Sequence, residues 1–513
     1  MHQVTRIKSL IIAVFFIPLS FSTVVNAQDG AALKPNSLFS DNMVLQQGVD
    51  VPVWGTADEG EKVTVEFEGQ KVSTIAKDGH WMVKLAPLKV SRKPLSMTIT
   101  GKNTLTIKNV LVGEVWVCSG QSNMEMLLSN AWPKPIVNWK EEAANANYPE
   151  IRQYHVARKA ADTLVSDANS SWVVCDTATV KEYTAVGYFF ARDLYKSLKV
   201  PIGLLFSAWG GTPAQNWTTR ATLESNPELK HSVENYYKAV KNFPTDLADF
   251  KKNQASIMAK WAADTLAASL AHQPLPKKPE APRNPAGGAG GLYNAMINPL
   301  IPYAIKGVIW YQGEANSSTA KMYRTLFPLM INDWRKNWKQ GEFPFLYVQI
   351  APNRAMLPEI REAQLLTLDK VNNVAMAVTT DCGDSIAIHP TLKQPVGNRL
   401  QLAARALAYH EKIEYMGPIY KGFEIKDNTI EISFTHIGKG LMAKDGDLIG
   451  FTIAGEDKKF VTAKAVIKGD KVIVSGSEVA KPVAVRFGWE HVPITNLYNV
   501  EGLPASPFRT DVE

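Results

Sequence analysis

Along residues 36–108 apolar and polar positions alternate in short runs, as in Val51-Pro52-Val53-Trp54 and Lys62-Val63-Thr64-Val65-Glu66-Phe67. Gly55, Gly60, Gly69 and Asp78-Gly79 interrupt them. Period-two alternation cut by turn residues predicts short, half-buried strands, and so a small β-domain over 28–108. Near residue 110 the pattern changes. Val110-Leu111-Val112-Gly113-Glu114-Val115-Trp116-Val117 is almost continuously apolar, as a strand covered on both faces requires. Comparable runs recur at 201–206, 307–311, 343–350 and 374–379. Between them lie segments with helical spacing, the clearest at 185–198 and 393–410. Strand alternating with helix predicts an α/β fold over 109–414, a parallel sheet covered by helices whose ligands bind beyond the carboxyl ends of the strands.

Two further regions depart from that rhythm. Residues 226–271 are polar and rich in Lys and Ala, and 273–291 are rich in Pro and Gly, which predicts a helical excursion over 226–291 that ends in a loop. From about residue 417 the alternation returns at 429–434, 459–466 and 472–474, and predicts a second β-domain over 415–513.

Residues 1–27 resemble a secretory signal. Arg6 and Lys8 precede a mostly apolar stretch at 10–21, and Val25-Asn26-Ala27 offers small residues for cleavage, with a mature start near Gln28. The apolar run is shorter than the roughly 20 residues of a spanning helix and contains Pro18, so an exported protein, periplasmic or extracellular, with no membrane span after cleavage is expected. Loss of Arg6 and Lys8, with no acid in that segment, takes the formal charge from +7 to +5, too little for so long a chain to imply nucleic acid. Three cysteines, Cys118, Cys175 and Cys382, exclude a disulfide scaffold and lack zinc-like spacing. H-E-x-x-H and nucleotide loops are absent from the sequence, so no metal and no cofactor is implied.

The candidate chemistry begins where the first buried strand ends. Cys118-Ser119-Gly120-Gln121-Ser122-Asn123-Met124-Glu125 places Ser122 at a strand-to-helix turn, where a hydroxyl is exposed and helix-start amides can stabilise an oxyanion. Met124 breaks the G-x-S-x-G elbow and disfavours an ordinary α/β-hydrolase. Taken alone, Ser122 reads as a helix N-cap before it reads as a nucleophile.

The segment resembles the first block of SGNH hydrolases in its G-Q-S-N-M form. Phe206-Ser207-Ala208-Trp209-Gly210-Gly211-Thr212 is similar to the second block, Trp310-Tyr311-Gln312-Gly313-Glu314-Ala315-Asn316 to the third and Ile388-His389-Pro390 to the last. Together they resemble the sialate O-acetylesterase family. That resemblance implies a flavodoxin-like α/β/α catalytic domain with N- and C-terminal β-rich flanks. It also implies an acetylated carbohydrate substrate and acyl transfer through an acetyl-serine. Ser122 would be the nucleophile, His389 its general base, and the Ser122 amide, the Gly211 amide in preference to Gly210, and the Gln312 side chain the oxyanion hole. The acid that orients His389 departs from the family pattern. Ile386 stands three residues before the histidine and Ala387 two before, which leaves Asp384 as the first choice, with Asp381 or a backbone carbonyl as alternatives.

Two rival classes remain in view. Glu314 with Asp381 or Asp384 offers the carboxylate pair of a glycosidase, but such an enzyme has no use for an exposed serine at this turn. Trp54, Trp81, Trp116, Trp209, Trp310 and Trp489 offer stacking faces for a non-catalytic glycan-binding protein. Within the esterase class, O-acetylated sialic acids are the expected substrate and acetylated plant polysaccharides, of xylan or xyloglucan type, the alternative.

Overall fold

The structure, a computed structural model, describes residues 33–129 and 134–511. The expected signal at 1–27 lies outside them. Six strands build a parallel sheet: β1 (Thr104–Gly120), β2 (Tyr148–His155), β3 (Ile202–Ala208), β4 (Gly307–Tyr311), β5 (Phe345–Val348) and β6 (Val374–Ala377). Their order is β2-β3-β1-β4-β5-β6, with Trp172–Cys175 antiparallel on the β2 edge. In register, Leu205 and Val117 are partners, as are Ile309 and Cys118. β3 to β6 are buried along their whole length, which is why they read as unbroken apolar runs. β2 was not expected. Its sequence, with Glu150, Arg152, Gln153 and His155, breaks the apolar run, and the structure buries Arg152 only by giving its guanidinium the carbonyl and side chain of Asn109.

Helices cover both faces. Trp116 on β1 meets Phe190 of the helix Ala185–Leu198 edge to face, at 5.2 Å between ring centroids. On the opposite face Trp310 of β4 is enclosed by Trp217, Phe327 and Trp334, the last two from the helix Ala320–Trp338. Full burial of side chains this large contributes about 1.5–3 kcal/mol each. Trp116 and Trp310 are thus core, and Trp81 is buried as well; none of the three offers a stacking face for a glycan.

The break expected between 108 and 109 falls inside β1. Its first half pairs antiparallel with Ser91–Thr100 and its second half parallel with β3 and β4, so one 17-residue strand joins the amino-terminal β-region to the central sheet. The two share one hydrophobic core, in which Tyr303 packs on Phe39 and Trp54 and donates to the carbonyl of Val44 at 2.8 Å. Residues 430–508 form a separate apolar cluster, tied back through Gln349 to Ser506 (2.9 Å) and Arg509 to Glu362 (2.7 Å). The excursion is one 41-residue helix, Lys230–Leu270, about 60 Å long at 1.5 Å per residue, of which only Val233 and Tyr236 are buried. Trp261 donates from it to the Pro276 carbonyl, so the Pro-rich segment runs back along it.

Candidate active site

The carboxyl ends of β1, β3, β4 and β6 bring the serine, the glycine pair, the Gln312 block and the His389 loop to one edge of the sheet. Gly120 closes β1 with φ +137°, and a Cβ there would lie 2.2 Å from the Tyr311 carbonyl oxygen. Only glycine lets the chain turn so close to β4. Gln121 occupies the N-cap position of the short helix Ser122–Glu125, and Ser122 is its first helical residue. Its hydroxyl therefore does not cap that helix. It is hydrogen-bonded instead to His389 Nε2, at 2.8 Å.

His389 lies on the loop after β6, half-buried like Ser122. Burial lowers its pKa below the ordinary histidine value, and the nearby Lys393 charge adds to that effect. The imidazole is held neutral at neutral pH, the form that accepts a proton. Asn123, next to the serine, donates to the Ile388 carbonyl (3.1 Å) and to Glu314 Oε1 (2.6 Å), while its Oδ1 accepts from Lys393 Nζ (2.6 Å). Lys393 is buried, and desolvation pulls its pKa down to about 7. Desolvation pushes Glu314 above the ordinary carboxylate value. Glu314 thus belongs to a buried floor beneath the serine, not to a carboxylate pair flanking an open cleft.

The glycine pair follows β3. The Gly210 N–H is taken by Glu125 Oε2 at 2.9 Å, and Gly211 follows in left-handed geometry (φ +72°) with nothing within 4 Å of where its Cβ would be. Among the described residues the Gly211 N–H has no acceptor. Beyond these groups a cleft of about 680 Å³ is lined by Ser122, His389, Glu125, Arg158, His155 and Phe206, among others. His155 stacks on Phe206 at 4.6 Å.

Two expected site residues are engaged elsewhere in the structure. Gln312 is fully buried; its amide hydrogens go to Asn316 Oδ1 (2.8 Å) and the Thr212 carbonyl (3.3 Å), and its Oε1 accepts from Tyr323 (3.0 Å). No hydrogen remains on it for an oxyanion. Asp384 Oδ1 accepts the N–H groups of Ile386 and Ala387, both at 2.9 Å, and its other oxygen faces Lys134. It shapes the loop before His389 rather than touching the ring. Asp381, the alternative, is held by both terminal nitrogens of Arg399, at 2.7 and 2.6 Å. Asn123, Lys393, Glu125 and Arg158 were not singled out from the sequence. Asn123 stands inside the quoted serine block, whereas Lys393 and Arg158 carry no local signal.

All three cysteines are free and buried, and burial raises the thiol pKa of each, to about 12 for Cys175 and Cys382. Among the described residues there is no cluster of three or more His, Cys, Asp or Glu side chains able to hold a metal, and no helix is long and apolar enough to cross a membrane.

A serine hydroxyl facing a neutral imidazole, with an unengaged backbone amide beside it, is equipped to attack an acyl carbonyl and hold the resulting charge; the chain is a serine carboxylic-ester hydrolase. A family model described as carbohydrate esterase, sialic acid-specific acetylesterase, matches residues 283–406. The chain is 31% identical to a sialate O-acetylesterase of Rattus norvegicus over 94% of its length and 95% of that protein, and 29% identical to the sialate O-acetylesterase of Homo sapiens over 93% and 92%. A crystal structure of a carbohydrate acetylesterase from Xanthomonas citri superposes with a TM-score of 0.79 at 33% identity, covering 94% of this chain and all of that one. The chain belongs to the sialate O-acetylesterase family.

Proposed function

We propose that the chain is an exported carbohydrate O-acetylesterase that removes acetyl groups from O-acetylated sialic acids through an acetyl-Ser122 intermediate. The observation that carries this reading is the 2.8 Å hydrogen bond between Ser122 Oγ and His389 Nε2 at the end of the first sheet strand. His389 takes the Ser122 proton as Oγ attacks the ester carbonyl, and the oxyanion is held by the amides of Ser122 and Gly211. The tetrahedral species collapses, the sugar hydroxyl leaves with the proton from His389, and acetyl-Ser122 remains. Water then loses a proton to His389 and attacks the acyl carbon, acetate departs, and Ser122 is restored.

The catalytic unit, residues 109–414, is assigned to the flavodoxin-like SGNH arrangement. Without β2, the outermost of the parallel strands, the order β3-β1-β4-β5-β6 becomes 2-1-3-4-5, the doubly wound order whose ligands bind at the strands' carboxyl ends. Residues 28–108 and 415–513 are its β-rich flanks. The resemblance of residues 1–27 to a secretory signal supports export, periplasmic or extracellular. The names of the mammalian relatives support sialate as substrate. The bacterial relative is described only as acting on carbohydrate, which keeps acetylated xylan and xyloglucan as the second reading.

The test is acetate release from acetylated sialic acids, xylans, xyloglucans and an activated acetyl ester, by wild type and Ser122→Ala. Loss of all release in the variant, with sialates the best substrates of the wild type, is the expected outcome. Equal release by the two proteins removes Ser122 as nucleophile, and a preference for xylan moves the plant-polysaccharide reading to the front.

A further inference from the structure

Glu125 lies at the far end of the short helix that Ser122 opens, and it joins two parts of the cleft. One carboxylate oxygen takes the Gly210 N–H, while the other takes Nε of Arg158. Among the described residues nothing accepts from the two terminal nitrogens of Arg158, and the side chain is 57% exposed in the cleft that holds Ser122 and His389. An arginine anchored through Nε keeps its outer pair of nitrogens for a planar, two-oxygen acceptor, and carboxylate is the group that matches that fork.

We infer that Arg158 binds the carboxylate of an acidic acetylated sugar and so sets the substrate class of the enzyme, resting on the esterase reading above. The charges around it allow this. Glu125 is matched to Arg158 itself and Asp384 to Lys134, while Glu182 acts on the neighbouring His155 against the Arg158 charge. His155, beside Arg158, is kept below the ordinary histidine pKa by burial and by the Arg158 charge, and its ring stacks on Phe206. A neutral aromatic wall next to a half-free guanidinium suits a sugar ring that carries one carboxylate. A neutral pentose polymer has no group for Arg158 to hold.

The experiment compares kcat/KM for a free-acid O-acetylated sialic acid and for its methyl ester, on wild type, Arg158→Gln and Arg158→Lys, at low and high salt. Wild type is expected to prefer the acid by about tenfold, mainly through KM, as one exposed charge-assisted contact provides. The preference shrinks with salt, is partly kept in Arg158→Lys and is lost in Arg158→Gln. Because the preference is a ratio measured on one preparation, partial misfolding of a variant does not alter it. If Arg158→Gln yields no active protein, the wild-type ratio and its salt dependence decide the matter. Equal rates on acid and ester in wild type, or a preference that survives in Arg158→Gln, overturns the inference while the esterase reading stands. If neither sialate form is cleaved but acetylated xylo-oligosaccharide is, the sialate reading falls and the inference with it.

Discussion

Lys393 Nζ donates to Asn123 Oδ1 over 2.6 Å, and through that contact a buried cation is tied to the residue that follows the proposed nucleophile. Asn123 in turn holds the Ile388 carbonyl, one residue before His389, and Glu314 Oε1. One side chain therefore fixes the spacing between the serine turn and the histidine loop. Replacing it by alanine leaves Lys393 and Glu314 without their shared partner. Asn123→Ala is expected to lose about 1–3 kcal/mol of stability for each polar group so stranded. Its kcat should fall by more than tenfold while KM changes little, because the loss is in positioning. Urea unfolding and steady-state kinetics on an activated acetyl ester check both. Unchanged kcat in a destabilised protein would reduce Asn123 to a structural group.

The same lysine bears on pH dependence. His389 must be neutral to act as base, so activity falls as pH drops through its folded pKa, which burial and then the Lys393 charge hold below the ordinary value. The acid limb of kcat/KM is expected below about 6.5. Lys393→Met removes the repelling cation but leaves the burial, so the histidine pKa rises and the limb moves toward higher pH. A limb that stays in place or moves the other way rules Lys393 out as a source of the shift.

The parallel sheet was legible because β3 to β6 are buried on both faces and so carry unbroken apolar runs. β2 was not, because Glu150, Arg152 and Gln153 break its apolar run, and the burial of Arg152 against Asn109 leaves no pattern in the sequence. The join expected at 108/109 lies within β1, because a change of hydrophobic period marks where burial changes, and here that happens within one continuous strand. At the site, the blocks that hold Ser122, Gly211 and His389 follow strands, and the fold carries them to one edge of the sheet. The partners of Gln312 and Asp384 were not, because hydrogen bonds to Tyr323, Asn316 and local backbone amides leave no periodic trace.

The two glycines after β3 answer substitution differently. A Cβ on Gly210 would lie 3.1 Å from Ser122 Cβ and 3.0 Å from Glu125 Oε2, whereas one on Gly211 meets no atom within 4 Å but must adopt φ +72°. Gly210→Ala is therefore expected to press on the serine turn and lower kcat at least tenfold. Gly211→Ala should cost about 1 kcal/mol of stability from backbone strain, with a smaller kinetic effect wherever its amide keeps its place. Thermal unfolding beside kcat for both variants separates the two cases. A Gly210→Ala enzyme with wild-type turnover contradicts the packing argument.

Asp384 provides the sharpest separation between a catalytic acid and a loop residue. Its Oδ1 accepts from the N–H groups of Ile386 and Ala387, and these contacts, more than Lys134, hold its carboxyl below the ordinary value. An asparagine oxygen can accept the same two bonds, so Asp384→Asn is expected to keep kcat within about threefold and to lose less than about 1 kcal/mol of stability, as substitutions that preserve neutral contacts do. In a serine triad the same exchange at the acid costs about 10⁴ in kcat. Gln312 is expected to show the opposite profile. Gln312→Ala opens a cavity and takes the side-chain acceptor from the Tyr323 hydroxyl, so the loss appears first as unfolding at lower denaturant. An oxyanion donor would instead lose a hundredfold or more in kcat with the fold intact. A ten-thousandfold fall in Asp384→Asn returns that aspartate to the role expected from sequence, and requires the loop to rearrange so that the carboxylate reaches His389.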